Sequence, residues 1–394
     1  VEFGRRFSPG VEGKLLYTRY HIDGGFDDRQ DHPGDTLGFA FARHRSFNIL
    51  RQSVDARLDV LALPSVMITA GAIVDLDREQ LNGEASSNFG SGPEATSSTP
   101  FDEDRRNLSS YVQALIDLSL PLSLHLGARL DDNDAFGSFF TYRAGAVYRL
   151  SSDLRIRASL GTGFKAPTFA ENFANEPFEV GNPDLDPERS ISWEVGAEHT
   201  MWGGSFAVWA NYFDQRFRDL VQYSFAEPGL PNYDNLPQAL ARGIETGVSL
   251  VPRAGITVTG QYTYLDTETT DPGADGSPGT AFELGQPLVR RPAHALRVAG
   301  SVRLAGRATL GLNLNHVGSR DDLAFEDFTA VRVRLPGYTT LEVSAMVDVL
   351  RPRPGHPGVT ATLRVENALD EEYDTVVGFQ GRGRVASLGA RVRF

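Results

Sequence analysis

The sequence predicts an all-β protein, an antiparallel up-and-down barrel that crosses a membrane with its strands, and three observations carry that prediction. Apolar and polar residues alternate with a period of two along most of the chain, the period of strands whose two faces meet different surroundings. The connections fall into a short class and a long class that alternate along the chain, as in an outer-membrane barrel with tight turns at one end and extended loops at the other. No apolar run is long enough for a helical span: the longest, Val60 to Val74, is interrupted by Pro64, Ser65 and Thr69 and falls short of the roughly 20 residues a helix needs. Counting segments gives about sixteen or seventeen strands, and because single-chain bacterial barrels close on an even number the chain is expected to begin partway round the sheet.

The strands follow in order. Leu154, Ile156, Ala158 and Leu160 alternate with Arg155, Arg157 and Ser159, and Ile191, Trp193, Val195 and Ala197 alternate with Ser192, Glu194, Gly196 and Glu198. Further on, Leu310, Leu312 and Leu314 alternate with Gly311, Asn313 and Asn315, and Leu341 to Val349 and Ala361 to Val365 repeat the pattern. The chain closes on Ala386, Leu388, Ala390, Val392 and Phe394, one apolar face with Ser387, Gly389, Arg391 and Arg393 opposite. Short turns are expected at Ser119–Pro121, Ser151–Asp153, Gly203–Gly204, Pro252–Gly255 and Ala305–Gly306. Long polar excursions are expected at Asn82 to Arg106, Lys165 to Arg189, Thr267 to Arg291 and Ser319 to Leu335. The region from Gly13 to Ser65 gives no clear strand count.

Composition narrows the function. The 394 residues contain no cysteine, which removes disulfides, thiolate metal sites and cysteine nucleophiles. A formal charge of −13 without a basic run argues against nucleic-acid binding. The chain opens at Val1 in mid-pattern with no secretory signal, so a processed or truncated chain is expected. No nucleophile elbow, phosphate-binding loop or helical zinc motif is present, and the eight histidines show no metal-ligand spacing, with His125 and His294 expected on polar strand faces, so no enzymatic site is expected.

Two candidate sites remain from the residues alone. Asp27, Asp28, Asp31 and Asp35, beside Gly24, Gly25 and Gly34, offer hard oxygen ligands to calcium, as do Asp102 to Asp104 and Asp131, Asp132 and Asp134; solvated loop charge is the alternative. Phe169, Phe173, Phe178, Tyr233, Phe282 and Phe325 are loop aromatics that could contact a bulky substrate or pack within their own loops. Arg155, Arg157, Arg297, Arg303, Arg364, Arg391 and Arg393, with Glu194, Glu198, Glu342, Asp348 and Glu366, share the polar face and predict a mixed-charge lumen.

Two motifs are more specific. Gly163-Phe164-Lys165-Ala166-Pro167 ends a strand, and Asn182-Pro183-Asp184-Leu185-Asp186-Pro187-Glu188 returns the chain to a strand bearing Glu194. The prolines end ladder pairing, and the Asn-Pro and Asp-Pro pairs initiate turns. Near the end stand Asn367, Asp370 and Tyr373, then Gly381-Arg382 and the terminal Phe394. From about Tyr142 onward the chain resembles the TonB-dependent outer-membrane receptors, with Ala368 and Leu369 departing mildly from the family's pattern. Pro287 to His294, Val317 to Asp322 and Asp370 to Arg382 are similar to vitamin B12 receptors and to many siderophore receptors.

The resemblance implies uptake of cobalamin or a ferric siderophore across the bacterial outer membrane with TonB-supplied energy, and no cofactor beyond calcium in extracellular loops. It implies outer-membrane lipid, a bulky metal chelate, the barrel assembly machinery (through Phe394) and the TonB complex as partners, the last through an N-terminal region this chain lacks. The whole chain, residues 1–394, is then expected to supply about sixteen or seventeen strands of a larger receptor barrel of about 22, incomplete at its N-terminus and without the family's plug domain. A passive porin-like channel and a soluble β-rich binding or adhesin module are the alternatives.

Overall fold

The structure is a computed structural model and describes residues 1–28, 42–87, 95–98, 100–118, 121–176, 179–223, 230–273, 283–326, 329–351 and 357–393. Strands β1 (Glu2–Ser8), β2 (Val11–Asp28), β3 (Ala42–Leu63) and β4 (Val66–Ser87) open the chain, followed by β5 (Ala95–Ser98), β6 (Phe101–Asp117), β7 (Leu122–Asn133), β8 (Gly137–Arg149) and β9 (Leu154–Lys165). A one-turn helix α1 (Phe169–Phe173) and a minimal hairpin, β10 (Asn175–Glu176) and β11 (Glu179–Val180), precede β12 (Glu188–Met201), β13 (Phe206–Tyr223) and β14 (Tyr233–Arg253). The rest comprises β15 (Ile256–Asp271), β16 (His294–Leu304), β17 (Ala308–Val317), a hairpin of β18 (Arg320–Glu326) and β19 (Thr329–Leu335), β20 (Tyr338–Leu350), β21 (Gly358–Glu366), a second small hairpin of β22 (Asp374–Val376) and β23 (Phe379–Gln380), and β24 (Val385–Arg393).

Apart from the three small hairpins, these strands belong to one antiparallel sheet of eighteen. β5 and β6 lie end to end along the same side of β4, so the sheet has seventeen rows, within the range the alternation predicts. Two compact units divide the chain: Val1–Ala146 with Leu160–Ile191 and Phe217–Pro237, and Val147–Ser159 with Ser192–Arg216 and Gln238–Phe394. In the first, β1 to β4, β6 and β7 pair each with the next; in the second, β14 to β17, β20, β21 and β24 do the same.

Register fixes the two faces. Val74 lies opposite Val54 and Leu108, while the next residue, Asp75, lies opposite Ser53 and Asn107. The apolar face is the open one: Leu312 is 54 % exposed and Leu108 50 %. Polar side chains instead withdraw from solvent, with Ser109, Thr269 and Asp322 at 0 % and Asp131 at 1 %. A soluble domain has the reverse arrangement, and burying apolar side chains is its main source of stability. This distribution is stable where lipid covers the apolar face, as around a transmembrane barrel. Among the described residues no helix is long and apolar enough to cross a membrane.

The structure corrects several sequence expectations. The described residues of the uncertain stretch from Gly13 to Ser65 form two long strands, β2 and β3, and the break in the Val60–Val74 run at Pro64-Ser65 is a hairpin turn. The expected excursion from Asn82 to Arg106 is largely strand, since β4 runs on to Ser87 and β6 begins at Phe101. Ser319 to Leu335 is no open loop either, but the β18–β19 hairpin in unbroken register from Arg320↔Leu335 to Glu326↔Thr329. His294, expected on a polar face, shares a face with Leu296 and Val298 and hydrogen-bonds the Tyr262 hydroxyl at 2.8 Å. In the Asn82–Arg106 and Ser319–Leu335 segments polar residues form strand beyond the apolar band, where period-two hydrophobicity no longer marks it.

Candidate functional site

In the first unit the polar faces of β3, β4, β6 and β7 converge on a cavity of about 750 Å³. Antiparallel register sets Asp77 opposite both Arg51 and Arg105, and Ser109 opposite Asp131, so charged partners face each other across neighbouring strands. Arg51 donates from Nε and Nη2 to the two Asp77 oxygens at 2.6 and 2.9 Å, a bidentate pair. Asp131 accepts from the Asn107 amide at 2.9 Å, the Ser109 hydroxyl at 2.7 Å and Arg129 Nη2 at 2.7 Å. A carboxylate this buried is tolerable because its lone pairs are met.

The strand-ending motif borders the same cavity, which Thr162 to Phe169 also line. Phe164 stacks on Phe139 with ring centroids 4.5 Å apart, and Lys165 pairs with Glu188 at 3.2 Å. After Pro167, Thr168 caps α1: its Oγ1 accepts from Glu171 N–H while the Glu171 carboxylate accepts from Thr168 N–H. The chain then folds back on the helix through Asn182 N–H to Glu171 O at 2.7 Å and the Asn172 side-chain amide to Asn182 O at 2.9 Å. Leu185 and Pro167 are buried, Asn182 donates to Tyr233 O at 2.9 Å, and Glu188 also accepts from Val221 N–H at 3.1 Å. Glu194, on β12 in the second unit, accepts from Ser159 and Asn211 at 3.1 and 2.9 Å.

The second unit holds a different cluster. Asp322, fully buried at the start of β18, accepts from Arg290 Nε at 2.7 Å, Leu323 N–H at 2.9 Å and Val377 N–H at 2.9 Å. Burial alone would raise its carboxyl, but the Val377, Arg290 and Leu323 hydrogen bonds prevail and hold it below the usual carboxylate range. Buried Arg320 donates to Asp374 O and Thr375 O at 2.7 and 2.6 Å, and its guanidinium lies 5.5 Å from the Tyr338 ring centroid. Nearby, Tyr373 stacks on Tyr338 at 4.0 Å, and Asn367 donates to Glu371 O and Arg382 O at 2.9 and 3.1 Å. Asp370 accepts from Arg384 N–H and its guanidinium at 3.0 and 2.8 Å, contacts that lower its carboxyl.

The family profile described as "TonB dependent receptor-like, beta-barrel" matches residues 3–368, nearly the whole chain. The chain belongs to the TonB-dependent receptors. This is a family of transporters and not of enzymes. Among solved structures, the ferripyoverdine receptor of the outer membrane of Pseudomonas aeruginosa bound to ferripyoverdine is similar at 17 % identity and TM-score 0.72, over 99 % of this chain and 55 % of that one. The siderophore receptor PiuA from Acinetobacter baumannii gives 16 %, 0.72, 99 % and 63 %, and the copper transporter OprC gives 15 %, 0.72, 99 % and 64 %. At such identities the likeness establishes a shared fold, and this receptor barrel spans between about half and two thirds of those chains' length.

The loop aromatics of this receptor barrel are differently placed. Phe169 is buried and Phe173 packs against Phe101 and Phe169 at 6.4 and 6.5 Å. Tyr233 lies edge-on to Tyr223 at 5.5 Å, its phenol raised by burial and by the Glu179 and Glu171 carboxylates. Phe178, Phe282 and Phe394 lie outside the described residues, as does the side chain of Phe325. Of the calcium candidates, Asp27 pairs with His44 and Asp28 ends β2, while Asp31 and Asp35 lie outside the described residues. Asp102 to Asp104 and Asp131 are on strands, with Asp102 held by Arg78 at 2.5 Å. Among the described residues no three His, Asp or Glu side chains gather as a metal would require.

Sequence reasoning missed Arg105, Arg290, Arg320 and Asp322. Their signal was present only in part: Asp322 and Arg290 lie inside the two segments that resembled receptor sequences, but nothing in one dimension shows that they meet.

Proposed function

We propose that the chain is the barrel portion of a bacterial outer-membrane receptor that takes up a bulky ferric siderophore with TonB-supplied energy. The observation that carries this reading is the cavity of about 750 Å³ in a TonB-dependent receptor fold, lined by charged strand residues on one side and by Thr162 to Phe169 on the other. Its volume lies within the roughly 300–1,000 Å³ of small-molecule sites. Paired Arg and Asp groups offer hydrogen bonds to an oxygen-rich chelate while remaining neutralised when it leaves. The copper transporter among the similar folds and the sequence likeness to vitamin B12 receptors make other metal chelates, cobalamin included, the competing cargo.

In this reading long-side aromatics such as Tyr233 and Phe173 contact the chelate, calcium near Asp27 and Asp28 steadies an extracellular loop, and Phe394 is the assembly signal. TonB transmits energy through a plug domain, neither of which lies in the described residues. Titration of the intact receptor with a panel of ferric siderophores and with cobalamin tests the reading. Saturable binding of one ferric chelate is expected. Preferential cobalamin binding would reassign the cargo, and unselective conductance with no binding would leave a passive channel instead.

A further inference from the structure

Arg105, on β6, reaches into the segment that borders the cavity. Its Nη1 donates to Pro167 O at 2.8 Å and its Nη2 to Asn172 Oδ1 at 3.4 Å. Its guanidinium lies 4.6 Å from the ring centroid of Phe169 and 4.6 Å from that of Phe136. One ring comes from α1 and the other from the tight β7–β8 turn, so the cation is held between two parts of the chain. The turn is itself fixed, because Asn133 Oδ1 accepts from Ala135 and Phe136 N–H at 3.0 and 3.2 Å. Pro167, Phe169 and Asn172, the residues Arg105 holds, are all buried.

We propose that Arg105 is a latch, a positioning residue that fixes the Lys165 to Phe173 segment over the cavity and so controls access to it from the long-loop side. A planar guanidinium suits this place: it stacks on an aromatic face and hydrogen-bonds in its own plane at once. A lysine keeps the charge and loses the fork. The proposal rests on the Proposed function only for what enters; the latch itself is a property of the fold.

These 394 residues have no cysteine, so a single Thr141→Cys at the cavity wall is a specific reporter in the intact receptor, displayed on whole cells with any cysteine outside these residues replaced by serine. Its labelling rate is measured with a small methanethiosulfonate and with a maleimide carrying a long polyethylene glycol chain, both added outside. Adding Arg105→Ala should speed the bulky reagent about tenfold or more and the small one much less, with Arg105→Lys in between. Equal bulky-reagent rates with and without Arg105, in receptor that keeps its heat-modifiable migration, overturn the latch. Should Arg105→Ala fail to fold, Phe169→Leu removes one face of the sandwich and is expected to give the same acceleration; an unchanged rate there overturns it equally. The assay needs no chelate, so acceleration in a receptor that binds no ferric siderophore would uphold the latch and remove the uptake reading alone.

Discussion

Gly247 shows how much a missing Cβ can decide at the scale of one residue. A Cβ built there would lie 2.5 Å from Trp209 Cε2, so the indole lies flat across the neighbouring strand only because Gly247 is bare. Gly71 under the Tyr111 ring and Gly381 under the Tyr373 ring repeat the arrangement. Gly247→Ala should therefore cost about 1–3 kcal/mol of barrel stability through overpacking, read as a lower urea midpoint for unfolding from detergent or lipid. Asn367 is a second case: at φ +44° it occupies the left-handed region while its side chain bonds both ends of its loop. Asn367→Ala removes those bonds and retains the strain, and should speed proteolysis between residues 367 and 384. Asn367→Gly, which relieves the strain alone, should fall between the two; a glycine variant no better than alanine would remove the backbone argument.

Among elements, the Asp322 cluster ties together three segments far apart in sequence: the approach to β16 through Arg290, the β18–β19 hairpin, and the β22–β23 hairpin through Val377. Arg290 is itself in the left-handed region at φ +61°, a costly conformation for a long side chain that its bond to Asp322 helps to hold. These are the three segments that resemble both cobalamin and siderophore receptors. In this chain they build a clamp. Asp322→Ala leaves Arg290 and the Val377 N–H without their acceptor and should destabilise the clamp by about 1–3 kcal/mol. Hydrogen exchange should then rise together at residues 287–291 and 374–380, and a rise at only one would refute the coupling. Because the folded Asp322 carboxyl is depressed, its stabilisation is complete above the unfolded value of about 3.9 and is lost as pH falls through the lower folded value. Exchange protection of both segments should accordingly hold at neutral pH and weaken only in strong acid, whereas Asp322→Asn should show no such acid step.

For the whole molecule, the inside-out distribution makes the two faces of one strand respond differently to the same charge. Leu312, on the outward apolar face of β17, should cost about 2–4 kcal/mol when changed to arginine, if it lies near the middle of the bilayer. Asn313, one residue along and opposite Ala299 and Glu342 on the polar face, should accept arginine with little loss. Folding yields of the two variants into lipid vesicles check this, and equal yields would contradict a lipid-facing surface.

How much was legible depends on what each feature needs. Alternation in Ile191 to Ala197 or Leu310 to Leu314 reads directly as strand because the apolar face must meet lipid at every second residue. Beyond that band the signal fails for a physical reason: in Arg78 to Ser87 or Arg320 to Leu335 both faces meet water or protein, so nothing forces a period. The motif residues were visible, but their roles were not. Phe169 read as a substrate contact and is a buried ring against Arg105, a partner 64 residues of chain away by number alone. The sequence by itself determined the all-β class, the approximate number of rows, the alternation of a polar and an apolar face, and the family. Only the tertiary structure decided that Arg105 grips Phe136 and Phe169 and that Asp322 joins Arg290 to Val377, because such pairings are set by the register of distant strands and not by any local preference of the chain.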